Sequence, residues 1–565
     1  MDPSSVFVQY TGPRFFPENP VRQWLHALVR AGVFVLLGQW FFTASYPELL
    51  DAENQLLAAG VSLVPGTEPG LARLHPCLGW VFGWLYGLHS GTAWYALGLS
   101  LCHWLGISAA WLAIQRTGGG AWRSGAFWLV MLFVEIPFLQ NPELGTSAFV
   151  LAQGAVLLLY TPGLPNRRPA WHGRFLTPFL LFVLSALFCW EAALLSAAVA
   201  LPLCFAGETE QKKPRWWLCA GLLLLPLAMG IFLRGEAPGR VLRQHRTAIA
   251  RKDLTGHRNS RYAWTADNAP RFARTGWNEH DHWLFQKGFS ADPTVFGDSA
   301  LIRVETALSE AEAPSLGSRV GRAFEVFSQM PPSIERRSLL FLLLIPSVPA
   351  AGRRRWALTG SILLAAGACM VLLGRFHLPQ GLFEALFAFP ILAGLWLTPP
   401  LQILGGCYRV FVTIAALWCA FFGVRTARDN SRQTASEYLR WHAGLERLDP
   451  RPEQLYLVSD ELLRHVALPF KRPEDPLLRR FRAIPLHAAP DGNAFRRQLG
   501  AFGIGNLHAE IADRPNVLLL VPIADVELRD RYLVFLREHY GLRAQLERVW
   551  EDPQTGMGAW RVRRE

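Results

Sequence analysis

The strongest constraint in this chain is a rhythm of long apolar runs broken by short, arginine-bearing loops. Apolar runs cover about 28–47, 91–114, 124–140, 145–161, 175–206, 216–234, 338–351, 357–374, 382–398 and 410–424. Runs of this length match the hydrocarbon thickness of a bilayer rather than the core of a soluble domain. The stretch 175–206 is too long for one crossing, and Trp190-Glu191 interrupts it, so it reads as a hairpin of two short spans and brings the expected count to eleven. Residues 76–89 are aromatic but short and predict a helix lying in the interface. The first 24 residues are polar and show no cleavable signal pattern.

Loop charge orients the spans. Loops 115–123, 162–174, 207–215, 352–356 and 399–409 each carry arginine or lysine, whereas 141–144 and the turn at Glu191 carry neither and 375–381 carries one, Arg375. The positive-inside rule then predicts a cytoplasmic N-terminus and an external C-terminus. Four regions follow: a membrane region 1–234 with a first outer loop 46–90, an external loop 235–337, a second membrane region 338–424 and an external tail 425–565. These two external parts explain why mean hydropathy is only +0.18 in a chain that is 51% hydrophobic and 18% charged. The net charge of +12 comes with 51 Arg against 5 Lys. It is read as topology in an arginine-rich bacterial protein of the inner membrane, not as nucleic-acid binding.

The tail predicts a small α/β domain, with strands at 454–460 and 517–523, a helix at 528–540 stopped by Gly541, and a hairpin around 553–556. In the external loop, Asn278 followed by Asp281 predicts a helix N-cap. His280 and His282 point to different faces of that helix, which argues against a metal site. The tail shows no glycine-rich phosphate loop, Ser-His-Asp pattern or metal motif. The acidic outer residues leave a divalent cation as the one cofactor still open.

Ionisable groups beside spans carry the functional argument. On the expected outer side stand Asp51 with Glu48 and Glu53, Glu143 between two spans, Glu191 at the hairpin, Arg73 and His75 before the interfacial helix, and Arg375 and His377. Glu135 stands inside a span. Arg243 and Arg246 belong to a basic run, 240–261, that could hold lipid phosphate. Carboxylates opposite cations suit glycosyl transfer from a lipid-phosphate sugar. A carboxylate deprotonates the acceptor hydroxyl, and cations stabilise the departing phosphate.

Several segments resemble motifs of a group of bacterial multi-span proteins and, more broadly, of the GT-C glycosyltransferases. They are Leu50-Asp51-Ala52-Glu53-Asn54-Gln55 with Ala59-Gly60, Leu78-Gly79-Trp80 through Leu85-Tyr86 with Trp94-Tyr95, Gly145-Thr146-Ser147-Ala148-Phe149, and Gly276-Trp277-Asn278-Glu279-His280-Asp281 followed by Phe285 and Asp292. Two positions depart from the pattern: Leu50 replaces the first of two Asp, and Cys189-Trp190 replaces an Arg before Glu191. The resemblance implies an α-helical polytopic GT-C-like fold with a helical extracytoplasmic insert and a C-terminal extracytoplasmic domain. It implies a polyprenyl-phosphate-linked sugar as partner, Asp51 as base and Arg375 as a phosphate contact. In this reading Glu143 or Glu191 orients a glycan, lipid or protein acceptor, Glu53 flanks the base, and Arg73, His75 and His377 join Arg375 at the phosphate. Two other readings stand beside it: a transporter of lipid-linked glycan, and a non-catalytic component of a cell-envelope assembly.

Overall fold

The computed structural model describes residues 19–64, 66–71, 73–117, 121–161, 171–205, 216–231, 263–309, 352–375, 380–397, 406–471, 475–487 and 493–565. The N-terminal part holds α1 (Pro20–Phe41), α2 (Leu49–Ala59), α3 (Pro76–Leu88), α4 (Trp94–Arg116), α5 (Ala121–Gln140), α6 (Leu144–Tyr160), α7 (Trp171–Phe188), α8 (Trp190–Ala200) and α9 (Trp216–Ile231). Among the described residues, three helices follow in the insert: α10 (Ala269–Thr275), α11 (Glu279–Gln286) and α12 (Asp298–Ser309). Among the described residues, the bundle continues with α13 (Gly352–Arg375), α14 (Gln380–Leu397) and α15 (Gly406–Leu448).

Among the described residues, α1 and α4 are long and apolar enough to cross a membrane, and several shorter apolar helices accompany them. The expected count of eleven spans is therefore not carried by the described residues, and the run 338–351 lies outside them. The predicted hairpin is present, broken at Cys189, with Glu191 in the first turn of α8. The last apolar run, 410–424, sits in a helix that does not stop with it but continues through the polar residues after 424 to Leu448, 43 residues in all, about 65 Å at the α-helical rise. From 425 to 443 the sequence offers neither glycine nor proline to stop it.

Helix α6 is the axis of the bundle, buried along its whole length. It meets α4 at a glycine contact. A Cβ on Gly154 would lie 2.2 Å from the Gly106 carbonyl oxygen, and one on Gly106 would lie 2.7 Å from that of Val150. Such contact lets two backbones approach where no side chain fits between them. One turn along, His103 of α4 bonds Glu135 of α5 through Nδ1 and Ser147 of α6 through Nε2 at 2.9 Å. Glu135 is thus a partnered group at a three-helix junction, which is how buried ionisable groups persist in apolar surroundings.

The tail forms a five-stranded sheet in the order β2-β1-β3-β5-β4, built from β1 (Leu455–Val458), β2 (Arg482–Pro485), β3 (Val517–Pro522), β4 (Ala544–Asp552) and β5 (Met557–Arg564). β1 runs parallel to β2 and β3, and β5 runs antiparallel to β3 and β4. The helix predicted at 528–540 is Val526–Tyr540, and Gly541 ends it at φ 63°. β2 was not expected. It is four residues long, opens on an arginine and closes on a proline, so it has no periodic signal, and its pairing with β1 defines it.

Strand alternation sends side chains to two different cores. Leu455, Leu457, Ile484, Leu519 and Val521 pack with Phe272, Trp277, Phe285, Phe289 and Phe296 of the insert. Tyr456, Val458, Ala483, Leu518 and Leu520 face the other way, into a core continuous with the helix bundle through Trp441 and Leu445 of α15. Insert and tail therefore share one core. The Asn278–Asp281 capping box forms as expected, and Asp281 also meets His539 of the tail at 2.8 Å.

Phe296 is fully buried and stacks against Phe535 of the tail with centroids 5.8 Å apart. Replacing it by alanine is expected to cost about 3–5 kcal/mol and to expose insert and tail to limited proteolysis together. Cleavage confined to the insert, with the tail still protected, would contradict a shared core.

Candidate functional site

The site is built on α2 and the turn that follows it. Gly60 closes α2 at φ 70°, and a Cβ there would lie 2.6 Å from the carbonyl carbon of Gly66, so the chain can double back only through glycine. Next, Ser62 adopts φ 59° and plugs into the sheet domain. Its hydroxyl donates to Leu478 O at 2.8 Å, and its carbonyl accepts from Ala483 N at 3.0 Å and Gln498 Nε2 at 3.1 Å. Glu68 bonds Arg497 at 2.7 Å. The Gln55 amide donates to Leu468 O at 3.1 Å and accepts from the Tyr46 hydroxyl. Helix α2 is thus held between bundle and sheet, which explains why its polar residues Asp51, Asn54 and Gln55 are buried along with Leu49 and Leu56.

Asp51 faces the bundle and is 1% exposed. Tyr95, at the start of α4, donates its hydroxyl to Asp51 Oδ1 at 2.6 Å, and Leu144 N–H, at the start of α6, lies 3.3 Å from each carboxylate oxygen. Asn54 Nδ2 donates to the Tyr95 hydroxyl at 3.3 Å. Burial raises the Asp51 carboxyl from its ordinary 3.8 to about 7, the Tyr95 bond opposes this, and the Glu48 charge adds to it. Leu144 N–H and the Arg73 charge also oppose the rise.

Glu143, just before α6, is buried and accepts from the Thr146 hydroxyl at 3.1 Å. Burial again raises its carboxyl, with Glu48 and Asp51 acting the same way. Arg73 stands at the edge of this acidic group, 3.8 Å from Glu48, its side chain 36% exposed and that of Glu48 27%. Burial works to lower the Arg73 pKa, but the charges of Glu48, Glu191 and Glu143 outweigh it and hold the guanidinium charged. Its backbone sits at φ 62°, an uncommon conformation for a side chain of this size.

The structure therefore brings together Asp51, Glu143, Glu191 and Arg73 from four separate segments, with Glu48. It does not bring in Glu53, which turns toward the sheet domain and pairs with His487 at 2.9 Å. His75 caps α3, accepting from Cys77 N at 3.3 Å, while its own N–H donates to Leu187 O at 2.9 Å beside the α7–α8 break. Glu191 accepts from the Cys189 thiol at 3.4 Å. Arg375 is the last residue of α13; His377, Arg243 and Arg246 lie outside the described residues. Sequence reasoning missed Tyr95, Asn54 and the Leu144 N–H. Tyr95 stood in a quoted motif without a role, and a backbone donor has no sequence signature. Among the described residues, no group of three or more His, Cys, Asp or Glu is placed to hold a metal ion.

No family model matches the chain, and no curated protein matches it. Two solved structures are similar to it, both of ArnT from Cupriavidus metallidurans. The one bound to undecaprenyl phosphate is 14% identical, covering 95% of this chain and 97% of that one with a TM-score of 0.39. The apo form is 13% identical, covering 96% and 98% with a TM-score of 0.37. A similarity this loose says nothing about individual residues of the site.

Because Asp51 binds its proton more tightly folded than unfolded, its contribution to stability is full below about 4 and is lost as pH rises through about 7. Asp51→Asn removes that slope. In detergent, the melting temperature of the native protein should fall more between about pH 5 and about pH 8 than that of the variant. Equal falls would contradict the burial of an ionisable Asp51.

Proposed function

We propose that this protein is a GT-C-like membrane glycosyltransferase that moves a sugar from a polyprenyl-phosphate carrier to a glycan, lipid or protein acceptor. The observation that supports it best is the buried Asp51 carboxyl, bonded by Tyr95 and Leu144 N–H, in a cluster whose partly exposed edge carries Arg73; burial pushes that carboxyl up to about 7. A general base works best when its pKa lies near the operating pH. In the proposed step Asp51 takes the proton of an acceptor hydroxyl while that oxygen bonds to the anomeric carbon. The bond from that carbon to the phosphate oxygen breaks, its electron pair leaves with the polyprenyl phosphate, and Arg73 offsets the charge. One displacement inverts the anomeric centre. Glu143 and Glu191 are placed to orient the acceptor, and Glu48 with Arg73 forms the accessible edge through which substrates approach.

Helix α3 fits a carrier that is itself a lipid. Trp80 and Trp84 are 69% and 64% exposed and lie one turn apart, as in a helix resting at a membrane interface. The reading places the chain in the bacterial inner membrane, N-terminus in the cytoplasm and sheet domain outside. A second reading, a non-catalytic component of an envelope assembly, draws support from the near-complete burial of Asp51 and from Leu50 standing where the resembled motif has an acid.

Asp51→Asn is expected to lower glycan or glycolipid product by about 10²- to 10⁴-fold, the usual worth of a general base, at unchanged expression. Arg73→Ala should lower it as well. Unchanged products in Asp51→Asn would remove the enzymatic reading and leave the assembly one.

A further inference from the structure

Tyr95 is buried on every side. Its ring meets Phe82 at 5.7 Å and Tyr46 at 6.3 Å between centroids, and its backbone N–H donates to the Tyr86 hydroxyl at 3.2 Å. The ring is therefore locked, and only the hydroxyl proton can rotate. Asn54 Nδ2 is a donor and cannot accept, so at that contact the Tyr95 oxygen must be the acceptor. The single Tyr95 proton is then directed to Asp51 Oδ1, at 2.6 Å. Leu144 N–H lies 3.3 Å from both oxygens and favours neither.

We propose that Tyr95, oriented by Asn54, is a positioning residue that occupies Asp51 Oδ1 and so assigns Oδ2 as the atom that takes the acceptor proton. The proposal rests on the glycosyltransferase reading for the meaning of that proton, but the polarity of the Asn54–Tyr95–Asp51 chain stands without it. A hydrogen bond donated to a carboxylate favours its ionised form. The other groups that face Asp51 are Glu48 from the start of α2, Glu143 from the turn before α6, Arg73 from the turn before α3, and the Tyr46 hydroxyl. The two glutamates oppose ionisation and Arg73 favours it. Tyr95 is the one side chain that donates a hydrogen bond to the carboxylate, among the described residues.

The test uses the purified full-length protein in detergent and follows the infrared carbonyl band of protonated carboxyl groups across a pH titration. The component lost in Asp51→Asn belongs to Asp51. Tyr95→Phe keeps the ring and removes only the donor, and should move the midpoint of that component upward by about one pH unit, a tenfold change in the ionisation constant. Asn54→Leu leaves the tyrosine but frees its proton, and should move the midpoint the same way by less. In cells Tyr95→Phe should lower product, and buffering the medium to higher pH should restore part of it. A midpoint unmoved in both variants overturns the proposal. Should Tyr95→Phe fail to fold, an unmoved midpoint in Asn54→Leu alone overturns it. Unchanged products in Asp51→Asn, with the infrared shift present, would sink the glycosyltransferase reading and leave the positioning role intact.

Discussion

Everything at this site depends on one short helix being buried on two sides at once. Helix α2 turns Asp51 toward the bundle, where α4 supplies Tyr95 and the first turn of α6 supplies Leu144 N–H. It turns Gln55 and Glu53 toward the sheet domain, where Leu468 and His487 receive them. Neither side alone would bury an eleven-residue helix whose sequence contains Asp, Glu, Asn and Gln. The sheet domain therefore acts as the second wall of the site, and displacing it would return Asp51 to water and its carboxyl toward ordinary acidity.

The bundle helps from below. The close approach of Gly106 and Gly154 and the Glu135–His103–Ser147 chain set how α4 lies against α6. Tyr95 and Leu144 belong to those two helices, so the spacing that grips Asp51 is inherited from contacts deeper in the bundle. The same arrangement explains the electrostatics. The carboxylates of Glu48, Asp51 and Glu143 stand near one another, and among the described residues Arg73 is the cation that offsets them; burial and mutual repulsion outweigh the hydrogen bonds and push the Asp51 carboxyl up to about 7. A phosphate arriving at Arg73 would meet a guanidinium held charged by its acidic neighbours.

The sequence was most informative where the physics is local. Apolar run lengths located the bundle helices, Gly541 and the Asn278–Asp281 pair marked helix ends, and β1 and β3 stood out as short β-branched and leucine runs. Long-range effects were not visible. Polarity changes at Arg425, but no local signal stops the helix there, so Gly406–Leu448 runs on through the change, and β2 exists only because β1 pairs with it. The shared core of insert and tail joins Phe296 to Phe535 across more than two hundred residues. At the site, acidic residue types near spans led to Asp51, Glu143 and Glu191. Glu53, only two positions from Asp51, turned the other way because helical rotation carries it to the sheet side. Tyr95 and a backbone N–H were illegible because their roles come from which helices meet.

In the proposed reaction the phosphate of the lipid carrier sits beside Arg73, with the anomeric carbon of its sugar near Asp51. The most direct measurement is an electron cryomicroscopy map of the full-length protein in lipid nanodiscs with polyprenyl phosphate added. Phosphate density is expected within hydrogen-bonding distance of the Arg73 guanidinium, with the isoprenoid chain running past α3. Carrier density elsewhere on the bundle, with the Arg73–Glu48 edge unchanged and empty, would contradict it.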